Sequence, residues 1–128
     1  GADAADARCM TQLAFLLGSG ALGPPDHAAA LVLLEAAAAK GDVVARHALG
    51  EAHERGLGVR PDLEAAARHY GTAAALGSAE SCHALGRLAE AGRLPGEGRE
   101  AAVGHYEQAA RLGHADAQRA LARLRAAN

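Results

Sequence analysis

Residues 41–77 read GDVVARHALGEAHERGLGVRPDLEAAARHYGTAAALG, and this stretch decides the fold. It begins and ends on glycine, and Gly41, Gly77 and Gly113 stand 36 residues apart. Working outward, Leu49 has counterparts in Leu13, Leu85 and Leu121. Its neighbour Gly50 aligns with Ala14, Gly86 and Ala122, and Gly56 with Gly20 and Gly92. Asp62 follows Pro61 as Asp26 follows Pro25. Tyr70 aligns with Leu34 and Tyr106, and Ala73-Ala74 with Ala37-Ala38 and Ala109-Ala110. A fixed period of this size marks stacked supersecondary units. The columns divide the chain into three full units, 5–40, 41–76 and 77–112, and a half unit over 113–128.

Each full unit carries two helical patterns. Ala45, Leu49, Ala52, His53 and Gly56 follow the spacing of one helix face, and so do Ala66, Tyr70, Ala73 and Ala74. Asp6, Asp42 and Ser78 are placed to cap the first helices, and Asp26 and Asp62 the second, each oxygen accepting from a free backbone N–H. Gly41, Gly77 and Gly113 fall where a helix closes through a left-handed residue. These signals predict seven helices, near 6–18, 27–40, 43–55, 63–76, 79–91, 99–112 and 115–126. Gly50, Gly86 and the paired alanines remove bulk where helices must approach closely. One such unit cannot bury its apolar face alone, but stacked neighbours can. The last helix turns polar and basic at Gln118, Arg119, Arg123 and Arg125, as a terminal cap should.

The columns resemble the Sel1-like repeat family, a relative of the tetratricopeptide repeat. The second unit matches best, through Gly41-Asp42, Ala45, Leu49-Gly50, Gly56-Leu57-Gly58-Val59, Asp62, Ala66, Tyr70, Ala73-Ala74 and Gly77. The resemblance covers nearly the whole chain. It implies an all-α fold, a right-handed α/α solenoid of three repeats plus a capping helix, with first helices lining a concave face. It also implies a non-catalytic adaptor, the usual role of the family in signalling, quality control and bacterial host interaction. The chain departs from the pattern in places. Histidines 47, 53, 69, 83 and 105 stand where the family often has aromatics. The third unit replaces the usual loop by Arg93-Leu94-Pro95-Gly96-Glu97-Gly98, which predicts an irregular turn. The first unit lacks the leading glycine and the tyrosine. The cysteine pairs of the family's disulfide-rich branch are missing.

At 128 residues the chain is read as one domain. It is 50% hydrophobic but only 2% aromatic, so much of its core must be alanine, which favours helix yet buries little area. No run reaches the roughly 18 to 20 apolar residues of a membrane span. No signal peptide is visible, and residue 1 is not methionine, so the chain reads as a processed or trimmed piece. A net charge of −2 and the lack of a basic stripe argue against nucleic acid as partner. Protonating seven histidines would carry the formal charge from −2 to about +5, which offers a route to pH-sensitive association. Cys9 and Cys82 fall two units apart, with adjacent units offset by about 10 Å, beyond the roughly 7 Å that a disulfide spans. Both thiols are expected to be free, which leans toward the cytoplasm, with an intermolecular pair as the alternative. A periplasmic or secreted location follows instead if an upstream signal was removed. A composition rich in alanine, arginine and glycine suggests a bacterial source.

If the Ala45–Leu49–Ala52 stripe faces inward, steps of about 100° place His47, Glu51 and Glu54 on the opposite side. The repeat then predicts rungs across the concave face. One runs Thr11, His47, His83, Arg119; another Phe15, Glu51, Arg87, Arg123; a third Gly18, Glu54, Glu90, Ala126. On solvated helices such positions are ordinary polar surface. Phe15, the only phenylalanine, is the exception, because exposed apolar anchors mark binding sites.

Chemistry finds less support. His47 and His83 share a column, as do His69 and His105, but adjacent units put such pairs about 10 Å apart. Two nitrogens on one zinc need about 3 to 4 Å between them, and no cysteine or carboxylate completes a set. The histidines read as packing residues, no cofactor or metal is expected, and the three serines (19, 78 and 81) form no nucleophile–base–acid set. The glycines at 56–58 and 96–98 follow no strand, so they are inter-helix turns rather than phosphate loops. The expected function is an adaptor or scaffold that binds a protein or peptide, with self-association through the first unit also open. Two alternatives are an inhibitor or immunity-type protein with one tight partner, and a small metal-binding or enzymatic protein that uses the histidines.

Overall fold

The computed structural model describes residues 2–127, with side chains from residue 5 onward. Among the described residues it has seven helices and no strand: α1 (Ala2–Ser19), α2 (His27–Ala39), α3 (Val43–Arg55), α4 (Leu63–Ala75), α5 (Ala79–Glu90), α6 (Arg99–Arg111) and α7 (Ala115–Ala126). Six match the sequence-based bounds to within a residue. α1 begins four residues early, because its alanine-rich start is a strong helix former. Asp6 therefore lies inside α1 and does not cap it.

The other caps form. Asp42 accepts from Val44 N–H at 3.1 Å, Asp26 from Ala29 at 3.0 Å, Asp62 from Ala65 at 3.1 Å and Ser78 from Ser81 at 3.2 Å. His114 caps α7 in the same way, its Nδ1 accepting from Ala117 N–H at 3.2 Å. At the other ends, Gly41, Gly77 and Gly113 adopt φ of 94°, 98° and 90°, a left-handed backbone that β-carbon-bearing residues avoid. The loop after α5 is irregular, as expected. It turns at Gly96, inserts Leu94 into the core and leaves α6 without a side-chain cap.

The chain forms two compact units, residues 1–69 and 70–128. In the first, α2 packs against α1 and α3 over a core that is mostly alanine, with Leu34 and Leu49 as its larger buried members. In the second, α6 packs against α5 and α7, and Cys82, Leu85, Leu88, Tyr106, Leu121 and Leu124 are buried. The leucine column is thus interior at residues 49, 85 and 121, but Leu13 is 42% exposed. α1 instead buries the edge formed by Ala7, Thr11 and Ala14. Nothing among the described residues covers the face of α1 that carries Cys9, Leu13 and Leu16.

Candidate interaction surface

The first unit contains an apolar cleft of about 380 Å³ between α1 and α3, with α2 beneath. Leu31, Leu34 and Ala30 of α2 meet Phe15 and Gly18 of α1 there, and Glu51 of α3 brings a carboxylate to it. Phe15 is 48% exposed, although an aromatic ring favours burial. The side chain of Glu51 is 39% exposed, and its carboxylate lies between His47 Nε2, at 3.4 Å, and Arg55, at 3.6 Å. One wall is set by the turn after α3, which contributes Leu57. That turn is locked down at Gly58. Its φ is 78°, and a Cβ there would lie 2.6 Å from the carbonyl oxygen of His27 at the start of α2. Only glycine lets the two backbones approach so closely.

The predicted rung residues meet different fates. Phe15, Gly18 and Glu51 come together at the cleft. Thr11 does not reach any binding surface: it is 3% exposed, contrary to the expectation. Its hydroxyl lies 2.5 Å from Asp42 Oδ2 and 3.0 Å from the Ala7 carbonyl, and so ties α1 to the residue that caps α3. An α1 that buries its 7–11–14 edge must turn this hydroxyl inward, where it needs a partner. The side chain of His47 is only 15% exposed, which makes it a support for Glu51 rather than a free contact. Glu54 is half-buried.

In the second unit, Glu90 and Arg123 form a bidentate pair with N···O distances of 2.6 and 2.9 Å, and Tyr106 donates its hydroxyl to Glu90 at 2.9 Å. The hydrogen bond from Arg123 holds Glu90 below the usual carboxylate range. Burial, and then the bond to Glu90, push Tyr106 up to about 12. His83 stacks on His114 at 4.6 Å and lies 5.6 Å from the Tyr106 ring. Burial lowers its pKa first, with His114 and Arg87 adding to the effect. Arg87 is exposed, and Arg119 is exposed and paired with Asp116.

Two further histidines pack where α3 meets α4. His53 and His69 stack at 5.2 Å, with Arg46 Nη1 3.4 Å from His69 Nδ1. Burial, followed by His53, Arg46 and Arg68, lowers the His69 pKa to about 4. His105 meets Glu97 at 2.8 Å. Among the described residues no three His, Cys, Asp or Glu side chains converge as metal ligands would. Cys9 is exposed and Cys82 buried, and both are free thiols. No described helix is long and apolar enough to cross a membrane.

Helix spacing points to three of the cleft's residues, Phe15, Gly18 and Glu51, and misses Leu31, Leu34, His27 and Leu57. A signal for Leu34 was present, since it stands in a column otherwise held by tyrosine. The Tyr106–Glu90–Arg123 network had no such signal, because it joins three helices.

Repeated helix pairs, glycine closures and small-residue contacts define an α/α repeat protein of the solenoid class. The chain belongs to the Sel1 repeat family, whose model matches residues 7–42, 43–78 and 79–114. The period is the one read from the glycines, set two residues later. A solved Sel1 repeat protein from Oxalobacter formigenes is similar over 88% of this chain and 46% of its own, with 28% identity and a TM-score of 0.76. So is c5321, a protective antigen present in uropathogenic Escherichia coli strains that displays an SLR fold. It covers 92% of this chain and 25% of its own, at 23% identity and a TM-score of 0.84, a likeness of fold alone. The chain thus spans less than half the length of either. No curated protein matches it. Sel1 repeat proteins are generally non-catalytic scaffolds for protein interactions.

Proposed function

We propose that this chain is a non-catalytic adaptor that holds a protein or peptide partner on the surface where α1 and α3 present Phe15 and Glu51. The observation that carries this reading is the cleft itself. It is apolar, preformed and rimmed by a half-exposed phenylalanine beside a carboxylate. An exposed aromatic next to a desolvated pocket is where interface energy concentrates. A rigid wall reduces the ordering cost of binding. We propose a second, separate contact on the second unit, where Arg87, Glu90, Arg119 and Arg123 form a charged surface on α5 and α7 suited to a charged segment of a partner. Thr11 has no part in it. With a net charge of −2 and no basic stripe, the partner is protein rather than nucleic acid.

Affinity capture with wild type and with the double variant Phe15→Ala/Arg87→Glu tests the reading. A protein retained by wild type is expected to lose at least tenfold in affinity for the variant, measured with the purified pair. Equal affinity for both would move the interface off both surfaces and sink the proposal.

A further inference from the structure

Two 36-residue steps separate the α1–α2–α3 group from α5–α6–α7, so each position of α1, α2 and α3 has a counterpart 72 residues on. Leu34 corresponds to Tyr106, Gly18 to Glu90 and Ala52 to Leu124. In the second unit these three side chains are a phenol, a carboxylate that accepts from it, and a buried isobutyl group. In the first unit all three are cut back, and their shortened counterparts line the cleft. The open space of about 380 Å³ is lined by these three columns and by Ala14, which carries a Cβ where the second unit has Gly86 beside its tyrosine. It is in the range of roughly 300–1,000 Å³ typical of ligand clefts.

The acceptor is conserved in kind though not in position. In the second unit, a carboxylate held by a guanidinium (Arg123) receives the Tyr106 hydroxyl. In the first, the Glu51 carboxylate is flanked by Arg55 and His47 and remains partly exposed at the cleft. A carboxylate has about four lone-pair sites, so these neighbours leave room for another donor.

We propose that the α1–α3 cleft takes the side chain of a tyrosine from the partner protein, its ring between Leu31, Leu34 and Phe15 and its hydroxyl donating to Glu51. The assignment rests on the adaptor reading and deepens it. An aromatic ring satisfies the apolar floor, and the phenol O–H complements the one carboxylate that lines the cleft. The protein's own second unit shows the same ring–carboxylate pairing from within one chain.

The test uses p-cresol as the tyrosine side chain and toluene as the same ring without its donor. Methyl NMR is expected to show p-cresol shifting Leu31 and Leu34 with a Kd of about millimolar, as suits so small a ligand. Toluene should bind about tenfold more weakly, the loss of one hydrogen bond to a charged acceptor. Glu51→Leu should bring p-cresol down to the level of toluene. Ala14→Gly/Leu34→Tyr, which restores the glycine–tyrosine pair that Gly86 and Tyr106 form in the second unit and supplies the ring from within, should abolish binding, and circular dichroism would establish that this variant is folded. If it is not, Ala52→Leu narrows the same cleft. No p-cresol shift at tens of millimolar, or equal shifts in wild type and the filled variant, would overturn the proposal. Equal binding of toluene and p-cresol would overturn the role of Glu51. Loss of the partner in Phe15→Ala/Arg87→Glu without any p-cresol binding would leave the adaptor standing and remove only the tyrosine.

Discussion

The ring of Tyr106 occupies the space where a side chain on Gly86 would begin: a Cβ there would lie 2.7 Å from both Cδ1 and Cε1. The ring is buried and bonded through its hydroxyl to Glu90, so it cannot swing aside. Gly86→Ala gains about 1 kcal/mol of helix propensity but overpacks the α5–α6 contact, which typically costs about 1–3 kcal/mol. A net loss of about 1 kcal/mol is expected in urea unfolding. A stabilised variant would mean that the two helices can separate freely.

Thr11→Val keeps the shape of the buried side chain and removes its hydroxyl. Asp42 then loses a donor at the junction of α1 and α3, at an expected cost of about 1–3 kcal/mol. Urea midpoints of the two proteins would measure it. An unchanged midpoint would show that water replaces the hydroxyl at no cost.

Stability should fall on mild acidification because of His69. Its folded pKa is depressed to about 4 from 6.5, so the unfolded chain binds the proton more readily. Between those values the unfolded state carries more protons, and stability rises with pH. The contribution is complete above about pH 6.5 and is lost progressively toward pH 4. Burial acts on His83 in the same direction. The slope of unfolding free energy against pH in this window should shrink in His69→Gln. An equal slope would assign it to other groups.

Arg123 is the first cause of the low pKa of Glu90. In Arg123→Ala, NMR titration should show Glu90 moving up toward the ordinary carboxylate value. The hydroxyl of Tyr106 should still hold it somewhat low. No movement would show that the pair seen in the structure is not kept in solution.

Much of this molecule is local and therefore legible in its sequence. Caps at Asp26, Asp42, Asp62 and Ser78 depend on residues two or three positions away. The turn at Gly41 depends on its own φ. Even Gly86, read as a point of close approach, needed only the period to be found. Phe15 and Glu51 were found because a helix face follows from spacing alone.

The tertiary structure decided the rest. Which edge of α1 is buried depends on what packs against it, so the column that buries Leu49 leaves Leu13 exposed and turns Thr11 inward. The Tyr106–Glu90–Arg123 network joins three helices, and no spacing within one helix announces it. The cleft arises because Gly18, Leu34 and Ala52, far apart in sequence, are cut back around one volume. The chain by itself determined its helices, turns and period, since these are interactions between near neighbours. Only packing could decide where the space remained, because a void belongs to all of its walls at once.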